Sequence, residues 1–320
     1  MRLATFKAAQ HGGAARIGVV VDDRMLDIGD GLRAVRDDAA NTFSSLRELL
    51  ERGPAAMDSV RRLLDGARRE PERFGAALHP LDAIRWLPPI PDADKFLCVG
   101  KNYRSHLEEL KRTDLIKEIP GEPTGFVKLN SCLTGHDTDV VRPSSVVHLD
   151  YEPELTFVMG RGAFEAKPGA DARDYVAGIT LLNDLTCRDT QKREVASGSR
   201  FWTAKNAPGF GPLGPCIITM DEVPDPYDIW VTCSVNGQQR MRVNTSEQIW
   251  KLPRIIEHFS RLLALQAGDL FSTGAPGGVA VGKDNAAALF LNPGDVVECA
   301  FERPAMVLRN RIVAPPERAS

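Results

Sequence analysis

Two apolar periodicities run along this chain and divide it. Up to about residue 85, short apolar runs with strand spacing, Ile17 to Val21 and Met25 to Ile28, give way to segments whose apolar residues recur every three or four positions. Ser45-Leu46-Arg47-Glu48 has the spacing of a capping box, and Leu46, Leu49 and Leu50 follow at helical intervals. Val60, Leu63 and Leu64 repeat the pattern after Gly53-Pro54. Leu87-Pro88-Pro89-Ile90-Pro91 then excludes helix and interior strand, because prolines lack the backbone donor and fix φ. The pattern predicts a small N-terminal α+β domain with its linker over residues 1–90, and a second domain over 91–320.

In the second part, short strands dominate. They are predicted at Lys95 to Val99, Leu155 to Met159, Ala177 to Leu182, Cys216 to Met220, Ile229 to Val235 and Val296 to Phe301. Asn236-Gly237, Pro293-Gly294-Asp295 and Pro276-Gly277-Gly278 supply turns between them, which favours a mixed or antiparallel sheet over regular βαβ alternation. One helix is predicted from Tyr103 to about Thr113. Another starts near Pro253 and is expected to bury Ile255, Ile256, Phe259, Leu262 and Leu263. The fold class is therefore α+β, mainly β. Residues Leu110 to Pro123, charged and bounded by Pro and Gly, suit either a surface loop or a lid.

Composition narrows the function. With 320 residues, 43% hydrophobic and 26% charged, the chain can bury a large core and reads as an ordinary globular protein. A net charge of -3 lacks the basic excess that phosphate neutralisation requires, so nucleic acid is not the expected partner. Lys7, Arg16 and glycines interrupt the N-terminal apolar runs, and no run reaches membrane-spanning length. Six cysteines, scattered without C-x-x-C and partly within strand-like runs, are expected as reduced, buried thiols. These features predict a cytoplasmic protein without membrane contact that acts on a small molecule.

Three segments carry candidate chemistry. In Asp150-Tyr151-Glu152-Pro153-Glu154-Leu155, Glu152 and Glu154 stand two apart on a strand and share a face. Two like charges so placed repel unless a cation lies between them, although an isolated E-x-E more often faces water. A second apolar strand delivers Asp184, followed by Arg188, Asp189 and Gln191. Three carboxylates without a nearby histidine suit a hard cation, Mg²⁺, Mn²⁺ or Ca²⁺, better than zinc. The plainer alternative has Asp184 capping a turn and Arg188 pairing with Asp189 at the surface. In Gly100-Lys101-Asn102-Tyr103-Arg104-Ser105-His106-Leu107-Glu108-Glu109, His106 and Glu109 are i and i+3 on a helix, which suits a carboxylate-oriented base or an exposed ion pair.

In this order the segments resemble the fumarylacetoacetate hydrolase family, whose pattern is G-x-N-Y-x-x-H-x-x-E, then E-x-E-L, then N-D-x-T-x-R-D-x-Q. Trp202-Thr203-Ala204-Lys205 with Gly211-Pro212-Leu213-Gly214-Pro215 is similar to the family's substrate-lysine segment, and Thr273-Gly274-Ala275-Pro276-Gly277-Gly278-Val279 to its late loop. The resemblance spans roughly residues 95 to 313. It implies a mixed β-sandwich roll, commonly a homodimer, with Mg²⁺ (or Mn²⁺) held by Glu152, Glu154 and Asp184. It further implies an oxo-acid substrate of the acylpyruvate type, a catalytic His106 oriented by Glu109, and Arg188, Gln191, Lys205 and Thr273 as substrate contacts, with Lys205 also catalytic. Val99 stands where fumarylacetoacetase proper has a further aspartate ligand, so the acylpyruvase-like branch fits better. Ala275 replaces a frequent threonine, and Glu302-Arg303-Pro304-Ala305 replaces E-G-I-G. Lys128 matches a position that often faces the pocket, but a lysine near a turn is ordinarily solvated, and it is left outside the catalytic set. The implied reaction is hydrolysis of a carbon–carbon bond. Decarboxylation or isomerisation of a 2-oxo-acid is the alternative, and a non-catalytic binding protein the second.

Overall fold

The structure, a computed structural model, describes residues 1–35, 43–112, 121–169, 171–199 and 201–316. Most of the segment read as a loop or lid, residues 113–120, lies outside them.

The N-terminal part begins with three antiparallel strands, β1 (Arg2–Ala8), β2 (Arg16–Val21) and β3 (Arg24–Asp27). Helices α1 (Ile28–Ala34), α2 (Leu46–Glu51) and α3 (Pro54–Arg69) follow. β4 (Leu78–Pro80) then pairs with β3, and β5 (Ile84–Leu87) with the second half of β1. Ser45 caps α2 as its spacing predicts, accepting the Glu48 N–H at 3.1 Å. The return contact is shifted by one residue: the Glu48 carboxylate accepts the Ser44 N–H and hydroxyl, at 2.7 and 2.6 Å. Ser44 offers two donors where Ser45 could offer only its N–H.

The longer part contributes β6 (Phe96–Gly100), α4 (Arg104–Arg112), β7 (Thr124–Val127), β8 (Leu133–Thr134), β9 (Val140–Val141) and β10 (Leu149–Asp150). Next come β11 (Pro153–Met159), β12 (Val176–Asn183), β13 (Thr186–Cys187), α5 (Arg188–Ala196) and β14 (Gly211–Thr219). The chain closes with β15 (Trp230–Val235), β16 (Gln238–Asn244), α6 (Leu252–Ser260), β17 (Leu270–Ser272), β18 (Val296–Phe301) and β19 (Met306–Val313). Asn236 and Gly237, both at positive φ, make the tight turn between β15 and β16.

One large mixed sheet runs β4-β3-β2-β1-β14-β12-β11-β17-β6-β7, with β5 on β1 and β8 on β14. A second sheet, β16-β15-β18-β19-β9, packs on one face of it. Leu155, Phe157, Met159, Ile179 and Leu181 meet Val231, Cys233, Val297 and Leu308 there. Val158, Leu182, Leu213 and Ile217, on the opposite face, share a core with Leu49, Val60 and Leu63 of the N-terminal helices. β11 and most of β12 are therefore buried on both faces. This explains why they read as continuous apolar runs.

The proline-rich segment near residue 90 interrupts the sequence pattern but not the sheet. β1 pairs with β14, Ile90 is fully buried, and the Thr5 hydroxyl donates to the Pro89 carbonyl at 2.7 Å. Two local expectations change. β14 starts at Gly211 rather than at the expected Cys216, with a register irregularity opposite it in β12 between Ile179 and Leu181. In the α6 region Ile255 and Ile256 are buried, but Leu262, beyond the helix end, is 89% exposed. All six cysteines are free and buried. No helix among the described residues is long and apolar enough to cross a membrane.

Candidate active site

β11 and β12 pair in a register that puts Glu154 opposite Leu182, and the Asp184 N–H donates to the Glu152 carbonyl at 2.8 Å. Continuing that register places Glu152, Glu154 and Asp184 on one face at the sheet end. All three are buried, and their ligand oxygens lie within 4.8 Å of one another. The sequence reading of Glu152 and Glu154 as merely water-facing is excluded by this burial.

Three cations face them. Lys205 Nζ reaches Glu152 Oε2 and Asp184 Oδ2, both at 2.5 Å. Lys128 Nζ donates to Asp184 Oδ1 at 2.7 Å and to the Lys205 carbonyl at 2.6 Å. Arg188 Nη2 reaches Glu152 Oε1 at 2.6 Å and Asp150 Oδ2 at 2.7 Å. Arg188 thus pairs inward, whereas Asp189 takes His148 Nδ1 at 2.7 Å. Lys128, judged an ordinary solvated lysine from its sequence neighbourhood, is instead 1% exposed and bound to the carboxylate centre. Asp150, also buried, accepts the Ala280 and Val281 N–H groups at 2.9 and 3.0 Å and so ties Arg188 to the late loop.

Titration within the cluster is uneven. Burial opposes ionisation of Glu152, but the Lys205 and Arg188 charges prevail and hold its carboxyl at about 2. Burial, followed by the charges of Asp184 and Glu152, pushes Glu154 well above the usual carboxylate range; Lys205 and the Ser272 hydroxyl offset this only in part. Counting Asp150, four buried carboxyl groups face three cations, and Glu154 is the one without an ion pair among the described residues, a deficit of positive charge that opposes its ionisation. A divalent cation among Glu152, Glu154 and Asp184 would meet that deficit, and the all-oxygen donor set fits a hard ion. The Lys205 ammonium, bridging two of the three, already marks the point as one that favours positive charge.

Above the cluster lies a cavity of about 210 Å³, lined by His106, Glu152, Glu154, Arg188, Gln191 and Lys205 on its polar side. It is smaller than the roughly 300–1,000 Å³ typical of sites for drug-sized ligands, which suits a substrate of a few carbons. Val99, Phe126 and Phe201 supply an apolar wall. His106, in α4, sets Nδ1 3.3 Å from Glu109 Oε2, and Glu109 Oε1 accepts the Gly278 N–H at 2.7 Å. Gln191 Oε1 accepts from Arg188 at 2.9 Å, which leaves its amide donors for the cavity.

Thr273 is brought close but does not line the cavity. Its hydroxyl donates to the Leu155 carbonyl at 3.0 Å and lies 3.4 Å from the Tyr103 hydroxyl, so its side chain is committed to the wall behind. Gly274 is the residue that reaches the cavity. Its φ of +90° and a Cβ position only 2.6 Å from the Val99 carbonyl oxygen allow no side chain. Asn102 and Tyr103 have a supporting role: Asn102 bonds the Trp250 N–H, at 2.6 Å, and the Thr273 carbonyl, at 3.0 Å. Tyr103 accepts from Gln248 at 3.0 Å.

A buried carboxylate centre at a sheet end, faced by Arg, Lys and a His/Glu pair beside a small cavity, is the geometry of an enzyme that acts on a small molecule. The chain belongs to the fumarylacetoacetate hydrolase family, as the family model for the fumarylacetoacetate (FAA) hydrolase C-terminal domain matches residues 95–313. Oxaloacetate tautomerase YisK of Bacillus subtilis (strain 168) is 31% identical over 300 residues, 92% of this chain and 95% of that protein. Among solved structures, fumarylacetoacetate hydrolase from psychrophilic Exiguobacterium antarcticum superposes with a TM-score of 0.75 at 29% identity, covering 98% of this chain and 100% of that one. Maleylpyruvate hydrolase from Sphingobium sp. SYK-6 gives 0.73 at 26%, again over 98% and 100%. The family thus includes both tautomerising and hydrolysing relatives of this chain.

Proposed function

We propose that this enzyme uses a divalent metal ion to interconvert the keto and enol forms of a small 2-oxo-acid, with oxaloacetate as its substrate. The observation that carries the reading is a Glu109-backed His106 in the wall of the same small cavity as the carboxylate centre. The likeness to an oxaloacetate tautomerase along nearly the whole chain supports it. Glu152, Glu154 and Asp184 would hold Mg²⁺ or Mn²⁺, and the cation would supply a Lewis acid for the 2-oxo and carboxylate oxygens.

The protein groups divide the remaining work. Glu109 faces Nδ1 of His106 and so leaves Nε2 to exchange the proton at the carbon next to the oxo group. In ketonisation that carbon gains a proton and the enol oxygen loses one, so His106 needs only to cycle between its two protonation states. Arg188, Gln191 and Lys205 hold substrate oxygens and offset charge that develops on them.

Hydrolysis of an acylpyruvate is the second reading. The same His106 could take a proton from water, and the likeness to maleylpyruvate hydrolase favours it. Enol absorbance and pyruvate release separate the two in Mg²⁺ or Mn²⁺ buffer. Loss of the oxaloacetate enol band faster than the buffer rate, without pyruvate, supports tautomerisation. Pyruvate plus an acid from acetylpyruvate supports hydrolysis, and pyruvate from oxaloacetate means decarboxylation. Absence of turnover with every oxo-acid, by protein that still binds metal, removes the enzymatic reading. A homodimer belongs to the same proposal, and sedimentation equilibrium at the monomer mass would remove it.

A further inference from the structure

A second convergence of ligand-type side chains lies in the N-terminal part, apart from the cavity. His11 sits in the turn after β1, Asp27 ends β3, Asp30 lies in the first turn of α1, and His79 is in β4 opposite Met25. Each offers one ligand atom, and these atoms lie within 4.8 Å of one another. His11 Nε2 is 3.4 Å from Asp30 Oδ2 and 3.7 Å from Asp27 Oδ2. Two metal bonds of about 2.0–2.1 Å at a tetrahedral angle hold their donor atoms roughly 3.3 Å apart. The observed spacing is close to that.

We propose that His11, Asp27, Asp30 and His79 form a zinc site that pins the turn after β1 and the start of α1 to β4. Two imidazoles and two carboxylates are a borderline donor set suited to Zn²⁺, unlike the oxygen-only centre of the cavity. Four protein donors leave no open position, so the role is structural rather than catalytic. Asp27 and His79 are buried, while His11 and Asp30 keep partial access for an entering ion.

Arg16 is the group that argues against a cation here: it takes both oxygens of Asp27, where a metal would use a remaining lone pair, but only one oxygen of Asp30. It holds Asp27 through Nε to Oδ2 and Nη2 to Oδ1, both 2.7 Å, and Asp30 through Oδ1 at 3.0 Å. Arg33 reaches the same Asp30 Oδ1 from an exposed position. Both arginines therefore take one oxygen of Asp30 and leave Oδ2 toward His11. Arg16 acts as an outer contact that orients the two carboxylates, as such contacts do around metal ligands.

The test is zinc stoichiometry of the full-length protein, stripped with chelator and then equilibrated with Zn²⁺ in a large excess of Mg²⁺, which occupies the oxygen-only centre. The expected result is about one Zn²⁺ per chain for the wild type and none for His11→Gln or His79→Gln, with Mg²⁺-supported turnover unchanged. Zinc should also raise the Tm of the wild type and not that of His11→Gln. His11 lies in a partly exposed turn, so its variant decides the matter even where His79→Gln fails to fold. No zinc in the wild type, or full zinc retention by His11→Gln, overturns the proposal.

Discussion

At Asp184 two buried lysines share one carboxylate, Lys128 at Oδ1 and Lys205 at Oδ2. Removing one partner of a buried pair typically costs about 3–5 kcal/mol, because the charge left behind has lost its compensation. Lys128→Met is expected to lower stability by that order in chelator, measured by urea unfolding, and saturating Mg²⁺ should recover part of the loss. A loss below about 1 kcal/mol in chelator would show that Lys128 is dispensable. His106→Ala should behave differently. It should keep the fold and the metal, and lose turnover by about 10²–10⁴-fold, the usual weight of a positioned acid or base. Loss of metal affinity in that variant would mean that the histidine belongs to the ion rather than to the proton. Glu152, Glu154 and Asp184 were legible because strand alternation and two ordered motifs place them. Lys128 was not, since its partner lies 56 residues away and nothing beside it in sequence signals burial.

Capping and pairing show how far local sequence reaches at the scale of elements. The N-cap of α2 follows from Ser45 and Glu48 alone, and Ser45→Ala is expected to cost about 1 kcal/mol in urea unfolding. Bonds from Ser44 and Arg52 hold the Glu48 carboxyl down at about 2, against an ordinary value of 4.5. A carboxyl depressed in the folded state stabilises above its unfolded pKa, and that contribution is lost as the pH falls through 4.5 towards 2. Glu48→Gln should flatten stability over that window; an unchanged acid limb would contradict the assignment. β14 illustrates what local reading misses. Gly211-Pro212-Leu213-Gly214-Pro215 has turn composition, yet it pairs with β12 across an irregular register and with β8 at its start. Leu262 has helical spacing but falls after α6 ends, so its spacing no longer sets its direction.

Over the whole molecule, the proline break near residue 90 separates two sequence textures that one sheet joins. Pairing of β1 with β14 is non-local, and no periodicity within either segment could announce it. The N-terminal helices cover Val158, Leu182, Leu213 and Ile217 of the strands that carry the site. Full-length protein is therefore expected to unfold in a single cooperative transition, and a chain starting at residue 91 to be insoluble or to lack one. A soluble, cooperatively folding 91–320 fragment would mean that the two parts are independent. The central claim is that the Glu152, Glu154 and Asp184 centre holds the ion on which oxo-acid chemistry depends. It is tested most directly by the rate at which the oxaloacetate enol band decays with wild type and with Glu152→Ala, each with and without Mg²⁺. The account expects Mg²⁺-dependent acceleration by the wild type and only the buffer rate with the variant; equal acceleration by both, or acceleration by wild type in chelator, would contradict it.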